Sequence, residues 1–124
     1  MDKRLLLASP HMSDEGYELE YIHDAFQKNW IAPLGENVNE FEKAMGEFMG
    51  EGYPVALSAG TAALHLAMIL AGVQAGDKVF CQSLTFSASA NPVAYCGAKP
   101  VFIDSERETW NMDPAALRRA FALH

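Results

Sequence analysis

The sequence is 124 residues long, 50% hydrophobic, with a formal net charge of −7 and no block of basic residues. That length implies one domain or part of one, and the apolar share argues against disorder. The acidic balance argues against nucleic acid or an anionic membrane as a partner held by charge alone.

In chain order, Lys3 and Arg4 precede the apolar run Leu5-Leu6-Leu7-Ala8. The run is shorter than the roughly 7–15 residues of a secretory core, and no stretch approaches the ~20 needed to span a bilayer. The chain therefore reads as cytoplasmic. Ser13 is a candidate N-cap with Asp14 and Glu15 in the first turn, and Tyr21, Ile22, Ala25 and Phe26 form a helical apolar stripe. The acids Asp14, Glu15, Glu18 and Glu20 read as a solvated helix face. "NWIAPLG", Asn29 to Gly35, breaks the helix with Pro33 and Gly35, yet carries the apolar Trp30, Ile31 and Leu34. Asn37 and Glu40 have capping-box spacing for a second helix, with Val38, Phe41, Met45 and Phe48 along one face.

From Val55 onward short apolar runs alternate with helical patterns. Strands are predicted at 55–57, 78–82 and 100–104, all parallel. Helices are predicted at 61–71, at 87–95 with Pro92 early, and from the N-cap and N1 pair Asp113-Pro114, with Leu117 and Phe121 facing inward. Such alternation implies right-handed crossovers and an α/β fold: a mostly parallel sheet with helices on both faces. Three strands and a short last helix read as the first part of a larger domain.

Ligands of open α/β sheets bind beyond the carboxyl ends of the strands. At the first such end, "SAGTAAL", small residues open a helix. Gly60 would let backbone approach an anion, and Thr61 and Ala62 would offer free N–H groups. Plain helix–strand packing explains the same residues. It is neither a P-loop nor a dinucleotide fingerprint. At the second end, Phe86 could stack on a flat ring or fill the core. Asp104, at the third end, could orient its loop. Cys81 and Cys96 have neither zinc nor C-x-x-C spacing and read as reduced and structural. His11, His23 and His124 have no ligand spacing, so no metal site is expected, and His65 reads as a packed helix residue.

"SAGTAALHLAM", "GDKVFCQSLTFSASANPVAYCGAKPVFID" and "NWIAPLGENVNEFE" resemble the DegT/DnrJ/EryC1/StrS family of sugar aminotransferases, closest to its EpsN/PglE-like exopolysaccharide-locus branch. The resemblance runs from about Leu5 to Phe121. It implies the N-terminal part of a pyridoxal 5'-phosphate enzyme of the aspartate-aminotransferase fold (fold type I). Residues 1–52 would form a helical segment with a substrate and interface loop, and 53–124 would begin the cofactor-binding large domain. The resemblance assigns Gly60, Thr61 and Ala62 to the cofactor phosphate and Phe86 to the pyridine ring. Trp30, Ile31 and Ala32 would lie near the substrate.

It further implies amino transfer, from glutamate, to a UDP- or dTDP-linked 4-keto sugar by a homodimer. No catalytic residue is expected in this stretch, because the family's cofactor-linking lysine lies further downstream. Lys3, Lys28, Lys43, Lys78 and Lys99 read as solvated. The alternatives are a sugar dehydratase of the same family and a non-catalytic fragment.

Overall fold

The computed structural model describes residues 11–124, so Lys3 and the Leu5–Ala8 run lie outside the described residues. The chain divides into two compact units, the second running Leu57–His124 and the first ending at Ala56.

The first unit holds helix α1, Tyr17–Gln27, and helix α2, Glu36–Met49. Ser13 is not the N-cap of α1. That position is Gly16, at φ 77, a left-handed conformation that glycine adopts without steric cost. Ser13 instead sits one turn earlier. Its backbone N–H and its hydroxyl donate to the two carboxylate oxygens of Glu18 at 2.9 and 2.6 Å, and its hydroxyl accepts from the Gly16 N–H at 3.2 Å. The acid thus closes the lead-in turn rather than standing free.

Helix α1 ends in a Schellman motif, with Asn29 left-handed at φ 54. The Asn29 N–H donates to the Phe26 carbonyl and the Trp30 N–H to the Ala25 carbonyl, at 3.1 and 2.8 Å. Asn37 does not cap α2; Gly35 does, and the helix starts one residue before Asn37. Glu40 turns along the helix to Lys43 at 3.3 Å instead of closing a capping box. Both helices present apolar side chains outward: Phe26 is 65% and Phe48 86% exposed.

The second unit is α/β. Helix α3 is Gly60–Leu70, strand β1 Lys78–Gln82, helix α4 Asn91–Tyr95, strand β2 Lys99–Ile103 and helix α5 Pro114–Leu123. The strands pair in parallel, Lys78 opposite Lys99 and Gln82 opposite Ile103. The crossover between them carries a 3₁₀ turn, Ser87–Ser89, and α4. The single helix expected at 87–95 is therefore split, with Pro92 in the first turn of the second piece, where its missing N–H costs no helix bond.

Helices α3 and α4 both end in Schellman motifs. Gly72 and Gly97, at φ 80 and 73, are the left-handed residues, and the N–H groups of Val73 and Ala98 close back on Met68 and Val93. A Cβ at Gly97 would also press on Ala75 at 3.0 Å. The Gly97 carbonyl accepts from Gly76, and the Asp77 carbonyl accepts from Lys99 at 2.8 Å. These bonds set the two strands in register at their start.

The core of the second unit contains Cys81, Val93, Ala98, Ile103 and Ala120. Burial pushes the Cys81 thiol pKa up, as suits a structural cysteine. Asp113 caps α5 by accepting the Ala115 N–H at 2.8 Å, with Pro114 at N1. Phe121 is not an inner position: it is 68% exposed, with its ring centroid 4.6 Å from that of Phe80 in an edge-on arrangement. Ala120 takes the buried face instead.

The strand expected at 55–57 is not formed among the described residues. A strand is defined by its ladder, and the Ala56 N–H donates instead to the Glu42 side chain at 2.7 Å.

Candidate cofactor site

Helix α3 begins where the sequence turns to small residues. Its N-cap, Ala59, is extended at φ −160 and ψ 154, and no side chain caps the end. The first bond into the helix is Ala63 N–H to the Ala59 carbonyl at 3.1 Å. Among the described residues, nothing accepts the backbone N–H groups of Gly60, Thr61 and Ala62. Three donors converge with the positive end of the helix dipole, and the Thr61 hydroxyl lies beside them. A Cβ at Gly60 would meet nothing within 4 Å, so no neighbouring group of this chain demands glycine there. That donor set fits a phosphate dianion, which needs several N–H donors and space at the helix start.

Phe86 caps the 3₁₀ turn that follows β1, accepting the Ser89 N–H at 2.9 Å. The turn packs against α3. The Phe86 side chain is 79% exposed, so it does not fill this unit's core; its face is free to meet a flat ring.

In the first unit, Trp30, Ile31 and Ala32 line a cavity of ≈ 280 Å³ with Ile22, Phe26 and Val38. The Trp30 indole N–H donates to the Leu34 carbonyl. A Cβ at Gly35 would collide with the Trp30 ring, and at φ 154 this backbone suits glycine. Lys28 joins the two helices across the loop, 2.9 Å from Asp24 and 2.5 Å from Glu36. Those carboxylates raise its pKa, Glu36 foremost.

Neither lysine of the second unit stands at the carboxyl end of its sheet. Lys78 and Lys99 head their strands, and Lys43 pairs with Glu40. His65 packs edge-on against Tyr95 at 5.4 Å. Among the described residues, no group of three or more His, Cys, Asp or Glu is placed to hold a metal, and no helix is long and apolar enough to cross a membrane.

Sequence reasoning passed over Gln82 and Trp110. The Gln82 amide donates to the Ser105 hydroxyl at 3.1 Å and to the Trp110 carbonyl at 2.6 Å. Trp110 has left-handed backbone at φ 63, which is uncommon for an aromatic residue. The only signal in sequence was a polar residue closing an apolar strand.

The DegT/DnrJ/EryC1/StrS aminotransferase family matches residues 13–122. EpsN of Bacillus subtilis, proposed to be a pyridoxal phosphate-dependent aminotransferase, is 56% identical over 120 residues, covering 97% of this chain and 30% of EpsN. A GDP-perosamine synthase of Caulobacter vibrioides is 41% identical over 114 residues, covering 92% of this chain and 30% of its own length. Among solved structures, Spr1654 of Streptococcus pneumoniae, proposed to be a sugar aminotransferase and solved in its pyridoxal phosphate form, superposes with a TM-score of 0.82 at 27% identity. That superposition covers 95% of this chain and 29% of the other. The chain thus spans about 30% of the length of the curated relatives it matches. It belongs to the DegT/DnrJ/EryC1/StrS aminotransferase family.

Proposed function

We propose that this chain is the phosphate-anchoring part of a pyridoxal 5'-phosphate-dependent sugar aminotransferase. The protein would pass an amino group, from glutamate, to a UDP- or dTDP-linked 4-keto sugar for polysaccharide or glycan biosynthesis. The observation that carries this reading is the head of α3. There, three backbone N–H groups have no acceptor among the described residues in a chain of an aminotransferase family.

When bound, the cofactor supplies an electron sink for amino transfer. Gly60, Thr61 and Ala62 hold its phosphate through backbone N–H groups and the Thr61 hydroxyl. Phe86 offers a ring face that fixes the plane of the pyridine. Trp30, Ile31 and Ala32 give the substrate an apolar wall and exclude water from it. The described lysines move no proton in this scheme, since Lys28 and Lys43 are held in ion pairs and Lys78 and Lys99 stand at the opposite strand ends. The apolar loop from Trp30 to Leu34 supports a homodimer of a cytoplasmic enzyme.

A helix start is worth ~0.3–1 kcal/mol to an anion, and up to ~2 kcal/mol when partly buried. A stacked ring adds about 0.5–1.5 kcal/mol. Together these fall short of the ~4 kcal/mol of millimolar binding. Tight retention therefore draws on groups beyond these four residues.

The test is retention of pyridoxal phosphate by the intact protein through dialysis, followed by its absorbance. Phe86→Ala and Thr61→Pro should each release cofactor faster, and glutamate should yield 2-oxoglutarate only when a 4-keto nucleotide sugar is supplied. Unchanged retention in both variants would return the α3 head to plain packing.

A further inference from the structure

A second concavity lies at the carboxyl ends of β1 and β2, apart from the α3 head. It is an open depression of ≈ 700 Å³ lined in part by Ser83, Asp104, Ser105, Arg107 and Trp110. The loop that forms it is built rather than slack. The Asp113 N–H donates to the Asp104 carbonyl at 2.8 Å and the Glu106 N–H to the Asn111 carbonyl at 2.9 Å. Ser105 pairs antiparallel with Met112. The Glu106 carboxylate is consumed inside the loop by the N–H groups of Glu108 and Thr109 and by the Thr109 hydroxyl.

Three groups are left over. Trp110 is 64% exposed, although its backbone is held left-handed at φ 63 and its carbonyl is clamped by Gln82 at 2.6 Å. Arg107 makes no ion pair among the described residues. Asp104 spends Oδ1 on the Ser105 N–H at 2.8 Å, and its Oδ2 has no hydrogen-bond donor among the described residues. A loop that holds an aromatic residue in an unfavourable backbone conformation, with its ring in solvent, is organised to present that ring.

We infer that this depression binds a neutral saccharide, its ring against the Trp110 indole and its hydroxyls shared between Asp104 and Arg107. The chemistry selects the class. A pyranose ring has an apolar face for the indole. Each hydroxyl both donates and accepts, so neighbouring hydroxyls satisfy a carboxylate and a guanidinium at once. An anion would be opposed by Asp104 and Glu106, which outnumber Arg107. A simple hydrocarbon would leave the carboxylate and guanidinium unmatched. Gln82 acts here as a positioning residue, through the Trp110 carbonyl. None of this depends on the aminotransferase reading.

The experiment is saturation-transfer NMR on the intact protein with methyl β-glucopyranoside, which carries no phosphate for the α3 head to hold. The native protein should transfer saturation to the ring protons. Trp110→Gly should abolish the transfer while folding normally, because glycine suits the left-handed backbone. Arg107→Ala should weaken binding by about tenfold. Trp30→Ala, in the other unit, should leave it unchanged. Absence of transfer to the native protein, or equal transfer to Trp110→Gly, would overturn the assignment. Loss of transfer in Trp30→Ala would overturn it in favour of the substrate loop. Inorganic phosphate shifting the Arg107 side-chain resonance while the glycoside does not would overturn it in favour of an anion.

Discussion

The side-chain amide of Gln82, the last residue of β1, donates to the carbonyl of Trp110 at 2.6 Å. The residues are 28 apart in sequence. One bond therefore ties the carboxyl end of β1 to the far side of the loop after β2, and a second, to Ser105 at 3.1 Å, fixes the near side. Gln82→Ala removes both. At about 1 kcal/mol net for each intramolecular bond, and less because Trp110 is exposed, the expected loss is ~0.5–1.5 kcal/mol. Denaturant unfolding measures it, and hydrogen exchange should accelerate at the Glu106 and Asp113 amides. Native protection at both amides would count against the clamp.

Trp110→Gly should work in the opposite direction. The left-handed conformation at φ 63 costs a non-glycine residue about 1–2 kcal/mol, and an exposed ring returns little packing. The variant should unfold at higher denaturant concentration than the native protein. A destabilised variant would mean that the indole packs on something.

Gly60→Ala separates helix formation from phosphate binding. The new Cβ meets nothing within 4 Å, and alanine favours a helix over glycine by about 0.5–1 kcal/mol. Thermal stability should therefore rise. Every N–H donor is kept, but the methyl occupies space that the phosphate would use, so pyridoxal phosphate should be retained less well. If stability and retention rose together, close approach at Gly60 would be excluded.

Asp113→Ala deletes the only side-chain cap of α5 among the described residues, which accepts the Ala115 N–H at 2.8 Å. Loss of such a cap costs ~0.5–2 kcal/mol. The Phe80–Phe121 contact at 4.6 Å should loosen with it, which aromatic ring-current shifts report. Asp113→Ser should restore most of the loss; failure to do so would point to something other than capping.

Glu18 gives a pH dependence. The Ser13 hydroxyl, then the Ser13 N–H, hold its pKa below the ordinary carboxylate range. A lowered folded-state pKa means that this contribution is complete above the unfolded-state value and vanishes as pH falls through the folded one. Acidification across that window should release the Ser13 and Gly16 amides at the head of α1, while neutral and alkaline pH leave them unchanged. Glu18→Gln should flatten the titration seen in those two amide shifts, and a curve of native shape in the variant would assign it to another group.

Much of the second unit is local grammar. Asp113-Pro114 announces α5 because a carboxylate cap and a proline at N1 act within one turn. The ends of α3 and α4 are legible in Gly72 and Gly97, since only glycine reaches the left-handed position freely. Strand β1 lies where its apolar run predicts, at Lys78–Gln82, and β2 begins one residue earlier than expected, at Lys99. The small residues that lead into α3 mark its start, where the helix opens from extended Ala59 without a side-chain cap.

Other features needed the third dimension. Val55 to Leu57 has strand composition, but a strand exists only where a neighbour completes its ladder, and Ala56 finds the Glu42 carboxylate instead. Phe86 and Phe121 have the sequence character of core residues, yet exposure is decided by what other elements place over them, and both stay largely in solvent. The Gln82 clamp joins residues that no short-range pattern connects. Sequence determined the cap of α5, the glycine turns after α3 and α4 and the family, because these are written in neighbouring residues, whereas Ser13 and Asn37 gave way as caps to Gly16 and Gly35. Tertiary structure decided which apolar side chains face outward and which polar ones meet, because burial and long-range hydrogen bonds depend on the path of the whole chain.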